Sequence, residues 1–289
     1  MSREGVKWTA WQGLRLAVPM NDAVLAEVLD GGQSFRWQRQ DNAWVGIFGR
    51  HVVHLRLSSA GLEWQQPAGL PDAGPALANY LDAEGLQAQI ATHLPWRSDK
   101  FLATAMVSFP GLRILKQEAD EALLAFLCSS NKQIIQIRRM VAALAEKLGS
   151  EISPGFHALP DWTTLARADA ATLKACGLGY RANFIQSTAK VLTERPTWVA
   201  DFSKLETPLL LEQLTTLPGV GPKVAACVAL FGFGRLDTFP VDTWIEKVLI
   251  KGYHLEGWKR PALERFGHAH YGAAAGLAQQ YLFAAGRRG

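Results

Sequence analysis

The sequence predicts an α+β fold in which an N-terminal antiparallel β-sheet domain, residues 1–110, precedes a mostly α-helical domain, residues 111–289. Two patterns indicate this division. Hydrophobic residues alternate with period two through much of the first third, and from about residue 77 they recur at helical spacing. The length of 289 residues and the hydrophobic fraction of 48% suit about two folded domains.

Four segments of the first third predict the strands of the sheet. Each combines period-two alternation with β-branched or aromatic residues, and short turns separate them. They are residues 33–38, 42–48, 51–57 and 62–64. Prolines and glycines over residues 67–76 then predict a loop.

Helical periodicity predicts the elements of the second domain. Residues 118–127 are apolar at helical spacing, and a longer hydrophobic stripe covers residues 134–148. Two further helices are predicted over residues 169–176 and 181–192. The second domain therefore contains several amphipathic helices and no predicted strand.

The net charge is distributed unevenly along the chain. Residues 1–110 hold 9 basic and 10 acidic side chains, a net charge of −1, whereas residues 111–289 hold 21 and 16, a net charge of +5. A basic domain and an isoelectric point near 9.0 suit a polyanionic partner, although solubility alone accounts for them equally well.

The three cysteines are odd in number and widely spaced. They exclude a disulfide framework and a four-cysteine zinc or iron–sulfur site within this chain. Residues 1–5 lack the apolar core of a secretory signal, and no apolar run is long enough to span a membrane. We therefore expect a cytoplasmic protein with reduced thiols and no membrane partner.

A glycine turn between two predicted helices is the most informative segment. Thr207 is the expected N-cap of the first helix, and Pro222 is the expected first residue of the second. Gly219, Val220 and Gly221 lie between them, where glycines allow a ligand to approach the backbone. Free amides at a helix N-terminus bind anions, so the turn favours a nucleic-acid phosphate. An ordinary helix corner is the alternative.

Lys223 and Asp242 lie at the predicted starts of neighbouring helices. The helix dipole disfavours a cation at Lys223 and so favours the neutral, nucleophilic amine. Asp242 is the expected N-cap of a helix over residues 243–250. Taken singly, the lysine suits a phosphate contact and the aspartate a helix cap. Together they can serve one electrophilic carbon.

The hairpin, Lys223 and Asp242 resemble the helix-hairpin-helix DNA glycosylase superfamily. The fuller resemblance is to the 8-oxoguanine DNA glycosylase family, and five segments in the family's order carry it. They are residues 32–37, 128–131, 179–182, 217–223 and 279–283. The resemblance implies that the helical domain is a helix-hairpin-helix glycosylase domain.

The resemblance implies a bifunctional base-excision enzyme whose partner is double-stranded DNA containing oxidised guanine. Lys223 would attack C1′ of a flipped nucleotide, expel the base and leave a Schiff base that decays by β-elimination. Asp242 would stabilise the positive charge that develops on the sugar. No cofactor or catalytic metal is expected, and a structural cation at the hairpin stays open. We expect a monomer, associated with the nucleoid in a bacterium or nuclear in a eukaryote.

The resemblance also implies how the damaged base is recognised. Gly32 would offer its carbonyl to the N7–H that oxidised guanine has and guanine lacks. Gln279 would read the Watson–Crick edge of the base, and Cys227 and Phe283 would hold the ring between them. Packing in the core is the alternative for the last two residues.

Further residues are implied to contact the DNA around the extruded nucleotide. Asn131 would fill the hole in the duplex, Tyr180 would wedge beside the orphaned base, and Arg181 would hydrogen-bond that base. The hairpin would hold one backbone phosphate, and Trp244 stands where relatives carry a phosphate-binding histidine. The alternatives are helix capping for Asn131 and core packing for Tyr180.

Two departures from the family pattern leave the preferred base opposite the lesion undecided. Lys132 follows Asn131 in place of a second asparagine, and Gln136 replaces an arginine that reads the opposite cytosine in eukaryotic relatives. Two other functions stay open. One is a monofunctional alkylated-base glycosylase, a class that works through water and lacks the lysine. The other is a non-catalytic helix-hairpin-helix DNA-binding protein.

Overall fold

A computed structural model describes residues 5–288, with the Arg288 side chain left out. Residues 1–4, which form most of the segment expected to lack a secretory signal, lie outside this range. None of the helices in the described part of the chain has the length and apolar character needed to cross a membrane.

The N-terminal part contains a five-stranded antiparallel sheet, in the order β1-β5-β4-β3-β2. Its strands are β1 (Gln12–Leu14), β2 (Trp37–Gln40), β3 (Ala43–Phe48), β4 (His51–Ser58) and β5 (Gly61–Gln65). Trp37 pairs with Gly46 in the register of β2 and β3. A Cβ at Gly46 would lie 2.1 Å from the Trp37 ring, so this glycine makes room for the buried tryptophan.

The strands predicted over 42–48, 51–57 and 62–64 are confirmed to within one residue at either end. The strand predicted over 33–38 is wrong in its position, because β2 begins only at Trp37. The Gln33 side chain explains the difference. Its amide donates to the carbonyl of Arg113 and accepts from the amide of Leu115, each at 2.9 Å. These bonds tie the segment to a loop instead of a neighbouring strand.

The rest of the described chain is mostly helical. The helices are α1 (Asp22–Asp30), α2 (Gly74–Tyr80), α3 (Leu86–Ala91), α4 (Lys100–Ser108), α5 (Ala119–Leu127), α6 (Ile134–Leu148), α7 (Trp162–Arg167), α8 (Ala170–Ala175), α9 (Arg181–Thr193), α10 (Trp198–Ser203), α11 (Thr207–Thr215), α12 (Pro222–Phe233), α13 (Thr243–Tyr253), α14 (Arg260–Tyr271) and α15 (Ala275–Arg288). A two-stranded hairpin, β6 (Glu151–Ser153) and β7 (Phe156–His157), lies between α6 and α7.

The helices predicted over 118–127, 134–148, 169–176 and 181–192 are confirmed with small differences at their ends. The sequence patterns did not predict α1, β1 or the β6–β7 hairpin. The loop predicted over 67–76 ends early, because α2 begins at Gly74.

The helical hairpin that suggested phosphate binding is formed by α11 and α12. Its first helix begins at Thr207, so the expectation that Thr207 is the N-cap is wrong by one residue, and Glu206 takes that position. The Thr207 hydroxyl instead donates to Asp237 Oδ1 at 3.0 Å. The predicted start of α12 at Pro222 is confirmed.

Close packing of α12 against α5 places the start of α12 beside the end of α5. A Cβ at Gly232 would lie 3.0 Å from the backbone of Ala119, which lets the two helices approach. The rings of Phe126 and Phe231 stack 5.3 Å apart between them. One cluster of buried residues runs from the sheet into these helices. The domain boundary at residue 110 stays a prediction.

Candidate active site and DNA-facing surface

A pocket lies among the turn after α1, the end of α5, and helices α12, α13 and α15. Six residues singled out in the sequence line it together: Gly32, Lys223, Cys227, Asp242, Gln279 and Phe283. They come from four separate parts of the chain. The fold therefore brings the predicted catalytic and base-recognition residues into one place.

The Lys223 amine lies at one wall of this pocket. The residue is half-buried in the first turn of α12. Its Nζ lies 3.5 Å from the hydroxyl oxygen of Ser129 and 5.4 Å from the centre of the Phe126 ring. The amine is thus bounded on one side by α5 and faces the pocket that Asp242 also lines.

Asp242 is the N-cap of α13, as the sequence predicts. Its Oδ1 accepts from the backbone amides of Trp244 at 2.9 Å and Ile245 at 2.8 Å. Oδ2 accepts no hydrogen bond from any residue between 5 and 288. One oxygen therefore fixes the carboxylate, and the other is left to interact with a ligand.

The remaining pocket side chains suit a flat, polar-edged ring. Burial raises the pKa of the Cys227 thiol, which the nearby Lys223 opposes and Asp242 reinforces. The thiol is therefore neutral at pH 7 and offers a soft apolar surface. The Gln280 amide donates to Gln279 Oε1 at 2.6 Å, which leaves the amide nitrogen of Gln279 to donate to a ligand. Phe283 is half-buried.

Gly32 follows α1 with a φ of +103°. A Cβ there would lie 3.1 Å from Ile134 Cδ1, so backbone conformation and space both favour glycine. Ile134 is the first residue of α6. The turn that contributes Gly32 to the pocket is therefore packed against the helix that follows Asn131.

The open space in the pocket is about 50 Å³. A buried water needs roughly 10–15 Å³ on this measure, so a few waters fit.

The turn that follows α5 carries Asn131 at an exposed position. Asn131 has a φ of +52°, a left-handed conformation that asparagine tolerates. The N-cap of α6 is Gln133, which forms a reciprocal capping box with Gln136. This excludes helix capping as the role of Asn131 and leaves its side chain on the surface.

Tyr180 and Phe184 form an exposed aromatic pair one helical turn apart. Tyr180 is 53% exposed and Phe184 42%, and their rings meet edge to face at 6.1 Å. Phe184 also packs against the hairpin, because a Cβ at Gly219 would lie 2.6 Å from the Cβ of Phe184. The pair thus joins the start of α9 to the hairpin.

Arg181, by contrast, is buried. Its Nε donates to the carbonyl of Ser130 at 3.0 Å, its Nη2 donates to the same oxygen, and its Nη1 donates to the carbonyl of Leu178 at 3.1 Å. The guanidinium in this structure braces the turn that carries Asn131. Its contact with an orphaned base stays a prediction.

The groups with which the hairpin could bind an anion are backbone amides. Val220 is buried, and its amide donates to the carbonyl of Leu217 at 3.1 Å. No side chain caps α12. Within the described residues, the amides of Gly219, Gly221, Lys223 and Val224 have no protein acceptor. These four amides are therefore the ones that an anion at the hairpin could draw on.

Trp244 is exposed at the start of α13. It is 51% exposed, and Lys247 Nζ lies 5.6 Å from the centre of its ring. The ring is next to Asp242 in sequence and stands at the surface beside the pocket. Its contact with a phosphate stays a prediction.

Several residues of the site were not predicted from the sequence, among them Phe126, Ser129 and Phe184. Ser129 lies within a segment that carried the family resemblance, and Phe184 follows Tyr180 at the helical spacing of four. Phe126 gave no local signal because its role depends on how α5 packs against α12. In the described part of the chain, no group of three or more His, Cys, Asp or Glu side chains could hold a metal ion.

Comparisons with known proteins cover most of the chain. Residues 15–123 match the family model described as 8-oxoguanine DNA glycosylase, N-terminal domain. Residues 124–266 match the HhH-GPD superfamily base excision DNA repair protein. The chain is 32% identical over 273 residues to N-glycosylase/DNA lyase OGG1 of Arabidopsis thaliana, covering 88% of this chain and 74% of the relative.

Solved structures extend the likeness to the fold. The 8-oxoguanine glycosylase/lyase of Clostridium acetobutylicum, in complex with double-stranded DNA containing cytosine opposite 8-oxoguanine, has a TM-score of 0.84 and 28% identity over 91% of both chains. A 3-methyladenine DNA glycosylase of Archaeoglobus fulgidus has a TM-score of 0.74 with 16% identity, covering 96% of this chain and 99% of the other. The second likeness is one of fold alone, so the pocket residues have to separate the two activities.

Proposed function

The chain belongs to the 8-oxoguanine DNA glycosylase family, and from this membership we propose that its Lys223–Asp242 pocket excises 8-oxoguanine from duplex DNA. The activity is that of a bifunctional DNA glycosylase and lyase in base-excision repair. The observation that carries the proposal is that Lys223 and Asp242 line one pocket with Gly32, Gln279 and Phe283.

Lys223 is the proposed nucleophile. Its Nζ lone pair forms a bond to C1′ while the bond from C1′ to the base breaks, and the base leaves with that electron pair and takes up a proton. Loss of a proton from the attached amine and opening of the sugar ring give a Schiff base. Removal of a C2′ proton then expels the 3′ phosphate, which cuts the strand.

Asp242 is the proposed electrostatic partner. Positive charge develops on the sugar as the base departs, and a fixed carboxylate stabilises it. The free Oδ2 is the oxygen suited to this role and to proton transfer. Because an amine and a carboxylate suffice for the reaction, no cofactor is required.

Base selection is assigned to the other pocket residues. The Gly32 carbonyl accepts from the N7–H of the oxidised base, whereas guanine would present a lone pair there. The Gln279 amide donates to the Watson–Crick edge, and the ring lies between Cys227 and Phe283. A site that relies on one hydrogen bond rejects a base that lacks the donor, because the acceptor of the protein is then left unpaired.

The DNA duplex is held by the surface around the pocket. Asn131 fills the vacated position, Tyr180 wedges beside the orphaned base, and Arg181 supports or contacts that base. The Gly219–Val220–Gly221 turn holds a phosphate through amides, as in a helix N-terminal anion site. A cation at the hairpin, the monomeric state and the cytoplasmic or nuclear location stay predictions.

The Lys223→Gln variant tests the proposal. We expect wild-type protein to form a borohydride-reduced covalent adduct with a duplex containing 8-oxoguanine, and the variant to form none while it still binds that duplex. The control is Lys251→Gln, at an exposed position in the next helix. It should give the same yield of covalent adduct as wild type.

The same assay separates the alternatives. A monofunctional alkylated-base glycosylase would release base without any trapped adduct, and a non-catalytic DNA-binding protein would do neither. Absence of an adduct with wild-type protein and every oxidised-guanine duplex would overturn the lyase assignment.

A further inference from the structure

We propose that Ser129 is a positioning residue that orients the Lys223 amine for attack. This inference rests on the proposed function of Lys223 as a nucleophile. Ser129 itself does not touch the substrate in this proposal. Its hydroxyl acts only through the geometry of the lysine.

The hydrogen bonds of Ser129 have a defined direction. Its side chain is buried, and its hydroxyl donates to the carbonyl of Phe126 at 2.7 Å. A serine hydroxyl has one hydrogen and two lone pairs. Because a carbonyl can only accept, the single hydrogen is committed to Phe126. Towards Lys223 Nζ, 3.5 Å away, the Ser129 oxygen can then only accept.

This direction matters for the chemistry of the amine. A neutral amine has two hydrogens and one lone pair, and attack requires the lone pair to face the carbon. If Ser129 accepts one N–H, it draws a hydrogen to the α5 side and leaves the lone pair unoccupied. A hydroxyl free to rotate could instead donate to the lone pair and block it. The 3.5 Å separation is long, as catalytic hydrogen bonds often are before substrate binds.

The position of Ser129 is itself fixed by backbone contacts. Its amide donates to the carbonyl of Phe126 at 3.0 Å, and its carbonyl accepts from the amide of Lys132 at 3.2 Å. The next carbonyl, that of Ser130, receives the Arg181 guanidinium. The end of α5 and the start of α9 thus hold the hydroxyl at a set place.

Two other groups near the amine, the Phe126 ring and the Cys227 thiol, are weaker acceptors than Ser129. The Phe126 ring presents its face to Nζ at 5.4 Å, and the thiol of Cys227 is protonated because burial raises its pKa. An aromatic face and a thiol accept hydrogen bonds poorly. On the α5 side, the hydroxyl of Ser129 is therefore the group able to direct an N–H of the amine.

Ser129→Ala and Ser129→Cys test the proposal by single-turnover kinetics. Alanine removes the acceptor oxygen, whereas cysteine has a side chain of similar size whose sulfur is a poor acceptor. We expect both variants to excise 8-oxoguanine about 10- to 100-fold more slowly than wild type at saturating enzyme, since a small misplacement of a reacting group costs up to about 100-fold. Ser130→Ala, the next serine in the same turn, is the matched control and should keep the wild-type rate.

The dissociation constant for the duplex distinguishes an effect on the Lys223 amine from damage to the DNA-binding surface. We expect it to stay within about twofold of wild type in both Ser129 variants, because the hydroxyl is proposed to act on the amine and not on DNA. Equal rates for Ser129→Cys, Ser130→Ala and wild type would overturn the proposal, as would a loss confined to DNA affinity. If wild-type protein itself trapped no DNA, the proposed function would fail instead.

Discussion

Gln136 and Arg181 occupy positions expected to read the base opposite the lesion, yet both are engaged within the protein. Gln136 Oε1 accepts from the amide of Gln133 at 3.2 Å as part of the capping box. The Arg181 guanidinium is bound to two backbone carbonyls. These local bonds give Gln136 a structural role that needs no DNA, so its part in opposite-base selection should be small.

Gln136→Ala tests this interpretation. We expect it to lower the free energy of unfolding by about 1 kcal/mol, the usual net contribution of one hydrogen bond. The ratio of excision rates opposite cytosine and opposite the other three bases should not change. Urea unfolding and single-turnover rates on four duplexes measure both quantities.

Gln136→Glu is the control for stability, because glutamate also completes a capping box. A change of more than about tenfold, or 1.4 kcal/mol, in the cytosine ratio of the alanine variant would show that Gln136 reads the opposite base after all.

The side chains of the pocket differ in how far the sequence could predict them. Lys223 and Asp242 stand at helix starts with their own local signals, and the pocket confirms that they lie together. Ser129 gave no such signal. Its proposed role depends on the Phe126 carbonyl, which accepts the hydrogen bond of its hydroxyl, and on an amine 94 residues away in sequence. No local pattern encodes those distances.

The two hairpin glycines are not equivalent. Gly219 has a φ of +80°, and a Cβ there would meet Phe184 at 2.6 Å. Gly221 has an ordinary φ of −89°, and a Cβ there would meet no protein atom within 4 Å. The fold requires the first glycine, whereas only something outside the protein can require the second.

This difference predicts opposite effects for two alanine variants. Gly219→Ala should destabilise the protein by about 1–3 kcal/mol through backbone strain and its contact with Phe184. Gly221→Ala should leave the free energy of unfolding within about 0.5 kcal/mol of wild type. It should nevertheless weaken duplex binding severalfold, because the added methyl group crowds a phosphate on the amides.

Thermal or urea unfolding and DNA titration of both variants measure these effects. If Gly221→Ala bound duplex as tightly as wild type, the hairpin would be an ordinary helix corner and its proposed contact with phosphate would be wrong.

The elements with one strong period were the predictable ones. The stripe along α6 faces the main core, as its period predicts. The strands β3 and β4 are covered on both faces, because Val45 and Val52 pack with Phe156 in a second cluster, yet their β-branched and aromatic residues still predicted strands. The predicted start of β2 was wrong because Gln33 belongs to an alternating run but forms its side-chain hydrogen bonds with a distant loop. The nine-residue α1 was missed although Asn21 caps it, because it lies in a region dominated by strand patterns.

A buried ion pair links the N-terminal sheet to helix α5. Arg36, just before β2, lies 3.2 Å from Glu121 of α5, and their side chains are only 8% and 14% exposed. Glu121 also accepts from the Gly49 amide between β3 and β4 at 3.1 Å. Burial raises the pKa of Glu121, although the Arg36 charge opposes this.

Arg36→Met should therefore destabilise the protein strongly. Removing one partner of a buried pair leaves an uncompensated charge and costs about 3–5 kcal/mol. The double variant Arg36→Met/Glu121→Gln should recover at least about 1 kcal/mol, because the remaining side chain is neutral and still accepts from Gly49. Urea unfolding measures each free energy.

Arg39→Met provides the comparison, since the Arg39–Asp22 pair is 47% and 59% exposed. An exposed pair contributes about 0–1 kcal/mol. If Arg36→Met and Arg39→Met lowered the free energy of unfolding equally, the buried pair would contribute no more than an exposed one. The sequence could not reveal this pair, because its members are 85 residues apart.

The cap on α13 bears on the speed of the reaction as well as on helix stability. Two backbone amides already orient the Asp242 carboxylate before any DNA arrives. Water would have to rearrange around a nascent cation, whereas this anion is preorganised and pays no reorganisation energy when the glycosidic bond stretches. In the reaction proposed for this pocket, the same two amides that begin a helix would thus lower the barrier.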